Sequence, residues 1–365
     1  MTEPTQAPKA PMLLLGAGAS RAFGIPTMPE FLSETWRDLD QRSVAAALAV
    51  RRSLELHELV DFEEVMFLLE ELAAMRREDA IAAPFLPRFT TKDSAVQRVL
   101  DFDKVQKEAM TERETLRRLI YDKCNAYDRA KAWEVYPKLI RALQEVTGAE
   151  RIYVATTNYD RVIESLWGRD DGMHSLKPSF DLQTGFFAPP YGARYLDVKR
   201  GYPEKSTEHE CVVHLVKVHG SLDWRRYDSG RIEETGAREY PAEAAVLAYP
   251  IRRDKSKEPP FSELYEAFDD ALARADFIVV IGLSLRDEAI VNRLADALSN
   301  GRKLCVIVDP KAELVRNRLP QDVRKVVGLV EKRFVEELSL GTEEEWREVI
   351  RAAAARESSS QKTAT

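Results

Sequence analysis

The sequence predicts an α/β fold in which helices cover both faces of a parallel sheet. Short apolar runs recur along the chain, and each has the length and continuity of a strand that is buried on both faces. Most runs are followed by glycine or polar residues and then by a helical pattern, which is the alternation of a Rossmann-like sheet. The runs occupy residues 12–15, 152–155, 211–218, 277–281, 304–308 and 326–330.

A glycine turn follows the first run. Gly16 and Gly18 permit backbone conformations that leave main-chain N–H groups exposed, and we expect Ser20 to cap the next helix. Exposed amides at a helix start form an anion site suited to a pyrophosphate, although a tight packing turn is the alternative. The next glycine is Gly24, so the spacing differs from the dehydrogenase fingerprint that accompanies hydride transfer.

A long helical segment separates the first two runs. Apolar residues recur there at three- and four-residue steps, and prolines predict a loop near residues 82–92. We predict a helical insertion over 37–136 that covers one side of a core formed by 11–36 and 137–340; self-association through exposed helix faces is the alternative. The two apolar stripes are Leu59, Phe62, Val65, Met66, Leu69 and Leu72, and Trp133, Tyr136, Leu139, Ile140, Leu143 and Val146.

The composition is that of an ordinary soluble globular protein, with 44% hydrophobic residues, 32% charged residues and a net charge of −7 over 365 residues. A direct nucleic-acid ligand is not expected, because the totals lack a basic excess. The widely spaced Cys124, Cys211 and Cys305 predict neither a disulfide framework nor a zinc knuckle. The sequence shows no basic leader and no apolar run near the ~20 residues that span a bilayer, so we expect a cytoplasmic protein without a membrane anchor.

Polar residues follow the second and third runs. Thr157, Asn158 and Asp160 come after residues 152–155, and His219 comes after residues 211–218. Open α/β sheets bind ligands at the carboxyl ends of their strands, so we expect Asn158 and His219 near the glycine turn. The alternatives are helix caps for Thr157 and Asp160 and a structural role for His219.

The rest of the chain contains two loop-like segments and two more strand ends. Residues 168–208 predict an irregular hairpin or lid beside the site, or a satellite cluster under a long loop, and residues 223–270 a peripheral excursion. Gly282 and Ser284 follow the fourth run. Asp309 follows the fifth, where it could accept hydrogen bonds from both hydroxyls of a ribose or cap a helix. A C-terminal helix over 341–357 and a disordered tail over 358–365 complete the chain.

Taken together, these strand ends resemble the sirtuin superfamily. Greater similarity is seen to the bacterial sirtuin-like NAD hydrolases, in which a tyrosine precedes the aspartate of the asparagine motif and an Asp-Phe-Glu-Glu helix, such as residues 61–64, lies in the insertion. The motifs are Gly16 to Ser20 with Gly24-Ile25-Pro26, Thr157 to Asp160, Val218 to Ser221, Gly282 to Ser284, and Val308-Asp309.

The resemblance implies a role for each motif residue. Asn158 and Asp160 would face the nicotinamide ribose and carboxamide, and His219 would match the family's catalytic histidine. Thr27-Met28-Pro29 stands where sirtuin deacylases have Asp-Phe-Arg. The implied NAD-binding residues are Ala17, Gly18, Ser20 and Ser284 at the phosphates, Asp309 at the adenosine ribose, and Gly16, Pro26, Thr157 and Gly282 around them.

The resemblance also implies hydrolysis of NAD to nicotinamide and ADP-ribose. Deacylases of the family hold zinc with two Cys-x-x-Cys pairs after the histidine, whereas no cysteine lies between His219 and Phe277, so we expect no zinc and water as the acceptor. Because nicotinamide leaves as a neutral molecule, no general acid is needed; we expect Asn158 to orient ribose and water and His219 to act as base.

By the same resemblance, the expected role is the NAD-depleting effector of a bacterial antiphage, or abortive infection, system. The expected partners are further copies of the chain in a homo-oligomer and a separate activating protein, either a hexameric DNA-translocating ATPase or an Argonaute-type protein. The alternatives are an NAD-dependent deacylase or ADP-ribosyl transferase and a sensor that binds NAD or ADP-ribose without turnover.

Overall fold

The structure is a computed structural model that describes residues 10–31, 33, 62–74, 102–167, 180–190, 193–202, 211–235, 245–248 and 257–355. The chain divides into two units. The first contains residues 1–25, 124–248 and 254–365, and the second contains residues 26–123 and 249–253. The predicted insertion over 37–136 overlaps the second unit, while the predicted domain boundaries stay predictions.

A seven-stranded sheet forms the centre of the first unit, in the order β12-β11-β10-β1-β2-β6-β3. All of its strand pairs are parallel. The α/β fold class predicted from the apolar runs is therefore confirmed. The strands are β1 (Pro11–Leu15), β2 (Arg151–Thr156), β3 (Phe180–Gln183), β6 (Cys211–Lys217), β10 (Phe277–Ile281), β11 (Leu304–Val308) and β12 (Val327–Val330).

Helices lie on both faces of this sheet. Met12 and Leu14 share a buried cluster with apolar residues of α7 and α8. Side chains alternate across a strand, so the odd-numbered residues of β10 face the opposite side, where Phe277 packs edge-on against Trp346 of α11. The helices of this unit are α1 (Ala17–Arg21), α4 (Arg129–Thr147), α5 (Val162–Ser165), α6 (Val198–Gly201), α7 (Phe261–Arg274), α8 (Glu288–Leu298), α9 (Ala312–Arg316), α10 (Gln321–Arg324) and α11 (Glu343–Ala354).

A second, five-stranded antiparallel sheet was not predicted from the sequence. Its order is β4-β5-β8-β7-β9. These short strands lie wholly or partly within the two segments that the sequence predicts as loops, 168–208 and 223–270. They are β4 (Phe186–Phe187), β5 (Tyr195–Leu196), β7 (Gly220–Arg226), β8 (Ile232–Glu234) and β9 (Ala245–Leu247).

Two core elements also fall within the predicted loop segments. β3 pairs with β6 at the edge of the main sheet. α7 begins inside the predicted excursion over 223–270, yet its apolar face, which includes Leu264 and Phe268, is fully buried in the core. The side chains of this face recur at the three- and four-residue spacing of an amphipathic helix, which explains the burial.

The second unit contains α2 (Phe62–Ala74) and α3 (Phe102–Asn125), the last two residues of which are counted with the first unit. Phe62 packs against Phe31 with ring centroids 5.5 Å apart. Arg117 of α3 pairs with Glu70 of α2 at 2.7 Å. The predicted loop near residues 82–92 and the tail over 358–365 lie outside the described residues.

None of the helices in the described part of the chain has the combination of length and apolar character that a bilayer crossing requires.

Candidate active site

The strand order places the predicted site residues at one edge of the main sheet. β1 lies between β2 and β10. From β1 the chain continues to β2, whereas from β10 it continues to β11, so the two connections run in opposite directions along the strand order. Such a switch point creates a crevice at the carboxyl ends of the strands, where open α/β sheets bind ligands. The glycine turn, Asn158, His219, Ser284 and Asp309 all follow carboxyl ends at this edge.

The glycine turn packs against the turn that follows β10. The N–H of Gly18 donates to the carbonyl of Gly282 at 2.9 Å. A Cβ on Gly18 would lie 2.7 Å from the Cα of Gly282, and one on Gly16 would lie 2.5 Å from the Cα of Leu283. Close packing therefore requires these glycines, as the alternative interpretation of the turn predicted.

Few amides of the turn are exposed to a ligand. Gly16 donates to the carbonyl of Ile281, Gly18 to Gly282 and Ala19 to Gly16. Ala17 is half-buried, and within the described residues its N–H has no acceptor. The expectation of several bare amides is thus wrong, because the neighbouring turn accepts from two of them.

Ser20 does not cap α1, which is a correction to the prediction. Gly16 is the N-cap, and Ser20 lies inside the helix. Its hydroxyl is buried, donates to Asp160 Oδ2 at 2.7 Å and accepts from Asn158 Nδ2 at 3.0 Å. The hydroxyl of Ser20 therefore already bonds to two other predicted site residues. The predicted contact of Ser20 with a phosphate stays a prediction.

The side chain of Asn158 is fixed by both of its amide hydrogens. Nδ2 donates to the carbonyl of Gly16 at 2.9 Å as well as to Ser20. Among the described residues no donor reaches Oδ1, so this oxygen is available to a substrate. Thr157 is half-buried beside it, and its N–H donates to the carbonyl of Leu15 at 3.2 Å. Asn158 therefore bonds to the glycine turn through Nδ2 and leaves Oδ1 available to a substrate.

Asp160 is buried and occupied by protein contacts. Oδ2 accepts from Ser20, and Oδ1 accepts from the N–H of Val162 at 3.0 Å, two residues ahead. This second bond is a local turn contact, because Arg161 and not Asp160 is the N-cap of α5, so the helix cap that the alternative interpretation predicted for Asp160 is wrong. Its predicted contact with nicotinamide stays a prediction.

His219 lies on the turn between β6 and β7 and is 3% exposed. Nε2 is 2.8 Å from Asp287 Oδ2. Nδ1 is buried, and no hydrogen-bond partner for it lies in the part of the chain that the structure describes. Leaving a buried polar atom unsatisfied costs about 1–3 kcal/mol. A water molecule, or a hydroxyl group of a bound ligand, would recover this cost by bonding to Nδ1.

Asp287 and Tyr265 belong to the site although the sequence assigned them no role. Asp287 is the N-cap of α8, and Oδ1 accepts from the N–H of Ala289 at 2.8 Å. The Tyr265 hydroxyl donates to Oδ2 at 3.0 Å. Burial alone raises the pKa of Asp287, but the hydrogen bond and charge of His219, and the bonds from Tyr265 and Ala289, outweigh it and lower the pKa below its ordinary value.

Hydrogen bonds to Ala248 join the loops that carry Asn158 and His219. β2 and β6 are neighbours with Thr156 opposite Lys217, so each side chain follows two residues beyond a paired position. The Tyr159 hydroxyl donates to the carbonyl of Ala248 at 2.6 Å, and the N–H of Ala248 donates to the carbonyl of His219 at 2.9 Å. The two predicted catalytic residues therefore lie on adjacent, mutually braced loops.

The remaining predicted residues lie farther along the same edge or in the second unit. Ser284 is exposed, two residues after Gly282. Asp309 accepts from the N–H of Lys311 at 2.7 Å, and burial raises its pKa against the opposing effects of the Lys311 amide and charge. Pro26 is half-buried and belongs to the second unit, so its contact with a dinucleotide stays a prediction.

Two buried ion pairs support the asparagine loop. Lys217 pairs with Glu164 at 2.9 Å and also donates to the carbonyl of Asp160. Arg161 lies 2.8 Å from Asp223, and both side chains are less than a tenth exposed. Burial raises the pKa of Glu164, with Lys217 as the main opposing charge. These pairs fix the main chain at Asp160 and at the residues that follow it.

Comparison with protein families identifies the domain. A family model described as a SIR2-like domain matches residues 153–327, which include Asn158, His219 and Asp287. Residues 153–327 are therefore similar to a SIR2-like domain. The antiphage subtype inferred from the motifs stays a prediction.

Solved structures similar to this chain include a complex of a Sir2 homologue with NAD, at 16% identity and a TM-score of 0.41, over 95% of this chain and 91% of that chain. A Sir2 homologue mutant with ADP-ribose matches at 14% identity and a TM-score of 0.39, over 96% and 95%. Sir2Tm bound to a propionylated peptide matches at 13% identity and a TM-score of 0.36, over 90% of both chains. None of the curated proteins compared with the sequence matches it significantly.

The described part of the chain holds no group of three or more histidine, cysteine, aspartate or glutamate residues placed to bind a metal ion. The absence of zinc stays a prediction.

Proposed function

We propose that this sirtuin-like protein hydrolyses NAD to nicotinamide and ADP-ribose. The observation that carries the proposal is the pairing, on adjacent braced loops, of an asparagine with an available Oδ1 and a buried histidine with an unpartnered Nδ1. NAD is the substrate class because the chain contains a SIR2-like domain. The cysteine-free stretch between His219 and Phe277 favours water over an acyl-lysine acceptor.

In the proposed reaction, the oxygen of water bonds to the ribose carbon that carries nicotinamide. The carbon–nitrogen bond breaks, and its electron pair stays on nicotinamide, which leaves neutral. His219 Nδ1 takes the proton of the attacking water and then releases it to solvent. Asn158 Oδ1 orients the water and faces the positive charge that develops on the ribose.

The biological role that we propose is depletion of NAD during phage infection. Such an activity requires control, and we propose a separate activating protein, a hexameric DNA-translocating ATPase or an Argonaute-type protein, and assembly of the chain into a homo-oligomer. The support for this role is the resemblance of the motifs to bacterial sirtuin-like NAD hydrolases.

A single-turnover assay tests the chemistry. Purified protein in excess over NAD is incubated alone and with the product of the neighbouring gene, and free nicotinamide is quantified. We expect release that falls at least about 100-fold in His219→Ala and Asn158→Ala. The matched control is Asn300→Ala, because this side chain lies beyond the end of α8 opposite to Asp287, and within the described residues it bonds only to the N–H of Arg302. Bound NAD without nicotinamide in either arm would instead establish a sensor.

A further inference from the structure

Asp287 is held by more contacts than a helix cap requires. Its Oδ1 accepts from the N–H groups of Ala289 and Ile290, at 2.8 and 3.4 Å, which is the ordinary capping arrangement. Its Oδ2 contacts two side chains from elsewhere in the chain, Tyr265 and His219. The capping amides therefore fix which oxygen faces the histidine.

The contact from Asp287 decides which ring nitrogen of His219 carries the proton. An ionised carboxylate can only accept hydrogen bonds, and Oδ2 already accepts from the Tyr265 hydroxyl. Nε2 must therefore carry a hydrogen in order to bond to Oδ2 at 2.8 Å. In the neutral ring this leaves the lone pair on Nδ1, the buried atom that has no partner among the described residues.

The backbone before Asp287 is also constrained. Leu285 is 2% exposed and has a φ of 51°, a left-handed backbone conformation that residues other than glycine rarely adopt. Its buried side chain fixes the short segment between β10 and α8. The carboxylate is thus placed by the helix, by Tyr265 and by the segment that leads into it.

We propose that Asp287, supported by Tyr265, is a positioning residue that holds His219 in the tautomer with hydrogen on Nε2 and the lone pair on Nδ1. This inference rests on the proposed function for its catalytic consequence, but the tautomer itself does not depend on it. When Nδ1 takes a proton, the carboxylate stabilises the imidazolium that forms. In this proposal Asp287 acts only through His219.

Replacing Asp287 with asparagine gives a sharp test, because the variant keeps the helix cap. Asparagine caps helices as well as aspartate does, and its amide oxygen must stay with the N–H groups of Ala289 and Ile290. The amide nitrogen then replaces Oδ2 and donates to Nε2. The neutral ring of His219 must then carry its hydrogen on Nδ1, so Nδ1 no longer has a free lone pair.

The tautomer can be read directly from the nitrogen chemical shifts of ¹⁵N-histidine-labelled protein. His219→Gln identifies the resonances, and Asp128→Asn, a similar change at the exposed N-cap of α4, is the matched control. We expect hydrogen on Nε2 in the wild type and in Asp128→Asn, and on Nδ1 in Asp287→Asn. Hydrogen on Nδ1 in the wild type, or an unchanged tautomer in Asp287→Asn, overturns the proposal.

Nicotinamide release from NAD provides the second measurement. We expect Asp287→Asn to lower the single-turnover rate at least about 100-fold, while NAD affinity changes less than about threefold. A rate equal to that of the wild type contradicts the catalytic consequence of the positioning. If the wild type releases no nicotinamide, the proposed function fails, and the nitrogen shifts alone decide whether Asp287 sets the tautomer.

Discussion

The main-chain N–H of Gly18 donates to the carbonyl of Gly282 at 2.9 Å, and this bond joins the turns that follow the two central strands. The two backbones approach too closely for side chains: a Cβ on Gly282 would lie 2.4 Å from the nitrogen of Ala19. Asn158 is then fixed to the same assembly through the carbonyl of Gly16. The geometry of the candidate active site therefore depends on how closely these two turns pack.

Gly282→Ala is expected to destabilise the protein by about 2–4 kcal/mol. About 1 kcal/mol comes from placing a side chain at a φ of 58°, and the rest from the contact with Ala19. Gly301→Ala isolates the first effect, because Gly301 has a φ of 64° and no atom within 4 Å of the added Cβ. Denaturant unfolding measures both variants. Equal losses of stability would show that the close approach of the turns carries no cost.

Ser20→Ala is expected to lower the free energy of unfolding by about 1–3 kcal/mol. The hydroxyl is 2% exposed, and its removal leaves Asp160 Oδ2 buried with its bond to Ser20 lost. The exposed Ser299, which donates to the carbonyl of Asp296 at 2.7 Å, provides the control. Ser299→Ala should change stability by less than about 0.5 kcal/mol. Similar effects of the two changes would contradict a structural role for the Ser20 contact.

Lys217→Met is expected to cost about 3–5 kcal/mol, because it leaves Glu164 buried without its cation. The side chains of the pair are 3% and 7% exposed. Lys332 and Glu348 form a pair with the same 2.9 Å separation but with side chains 38% and 47% exposed. Lys332→Met should cost about 0–1 kcal/mol. Thermal unfolding of both variants compares them, and a mild effect of Lys217→Met would show that Glu164 is accommodated without a charge partner.

Glu345→Gln is expected to produce a loss of stability that depends on pH. Burial raises the pKa of Glu345, but hydrogen bonds from Thr342 and Ser339 outweigh it, so the folded pKa lies below the ordinary 4.5. The charged form therefore stabilises the fold above pH 4.5, and this contribution is lost as the pH falls through the lowered pKa.

The difference between wild type and Glu345→Gln should be about 0.5–2 kcal/mol at pH 7 and shrink in acid. Urea unfolding at a series of pH values measures it. Glu313→Gln, at an exposed position paired loosely with Arg316 at 3.7 Å, is the control and should show no such trend. A difference that stays constant with pH would indicate that the charge of Glu345 is unimportant.

The main sheet could be predicted from the sequence because its strands are buried on both faces. Residues 277–281 and 304–308 read as continuous apolar runs, and the strands have these same bounds. The antiparallel sheet has strands such as Tyr195–Leu196, which are too short to show any periodicity. Its existence depends on pairing between distant segments, which local patterns do not record.

The site could be predicted only in part, for the same reason. Asn158 and His219 were identified because each follows a strand that the sequence reveals. Asp287 lies 68 residues from His219, and its position before a helix has an ordinary explanation as a cap. Its contact with the histidine depends on tertiary packing of the start of α8 near the turn between β6 and β7. Tyr265 contacts the same carboxylate from α7, a helix that begins in the segment predicted as a peripheral excursion.

The measurement that most directly tests the central claim is single-turnover release of nicotinamide from NAD, made on the wild type, His219→Ala and Asn300→Ala with and without the neighbouring gene product. We predict release by the wild type and Asn300→Ala in at least one arm, and a rate at least about 100-fold lower in His219→Ala. Release at the wild-type rate from His219→Ala, or none from a wild type that binds NAD in both arms, would contradict the account.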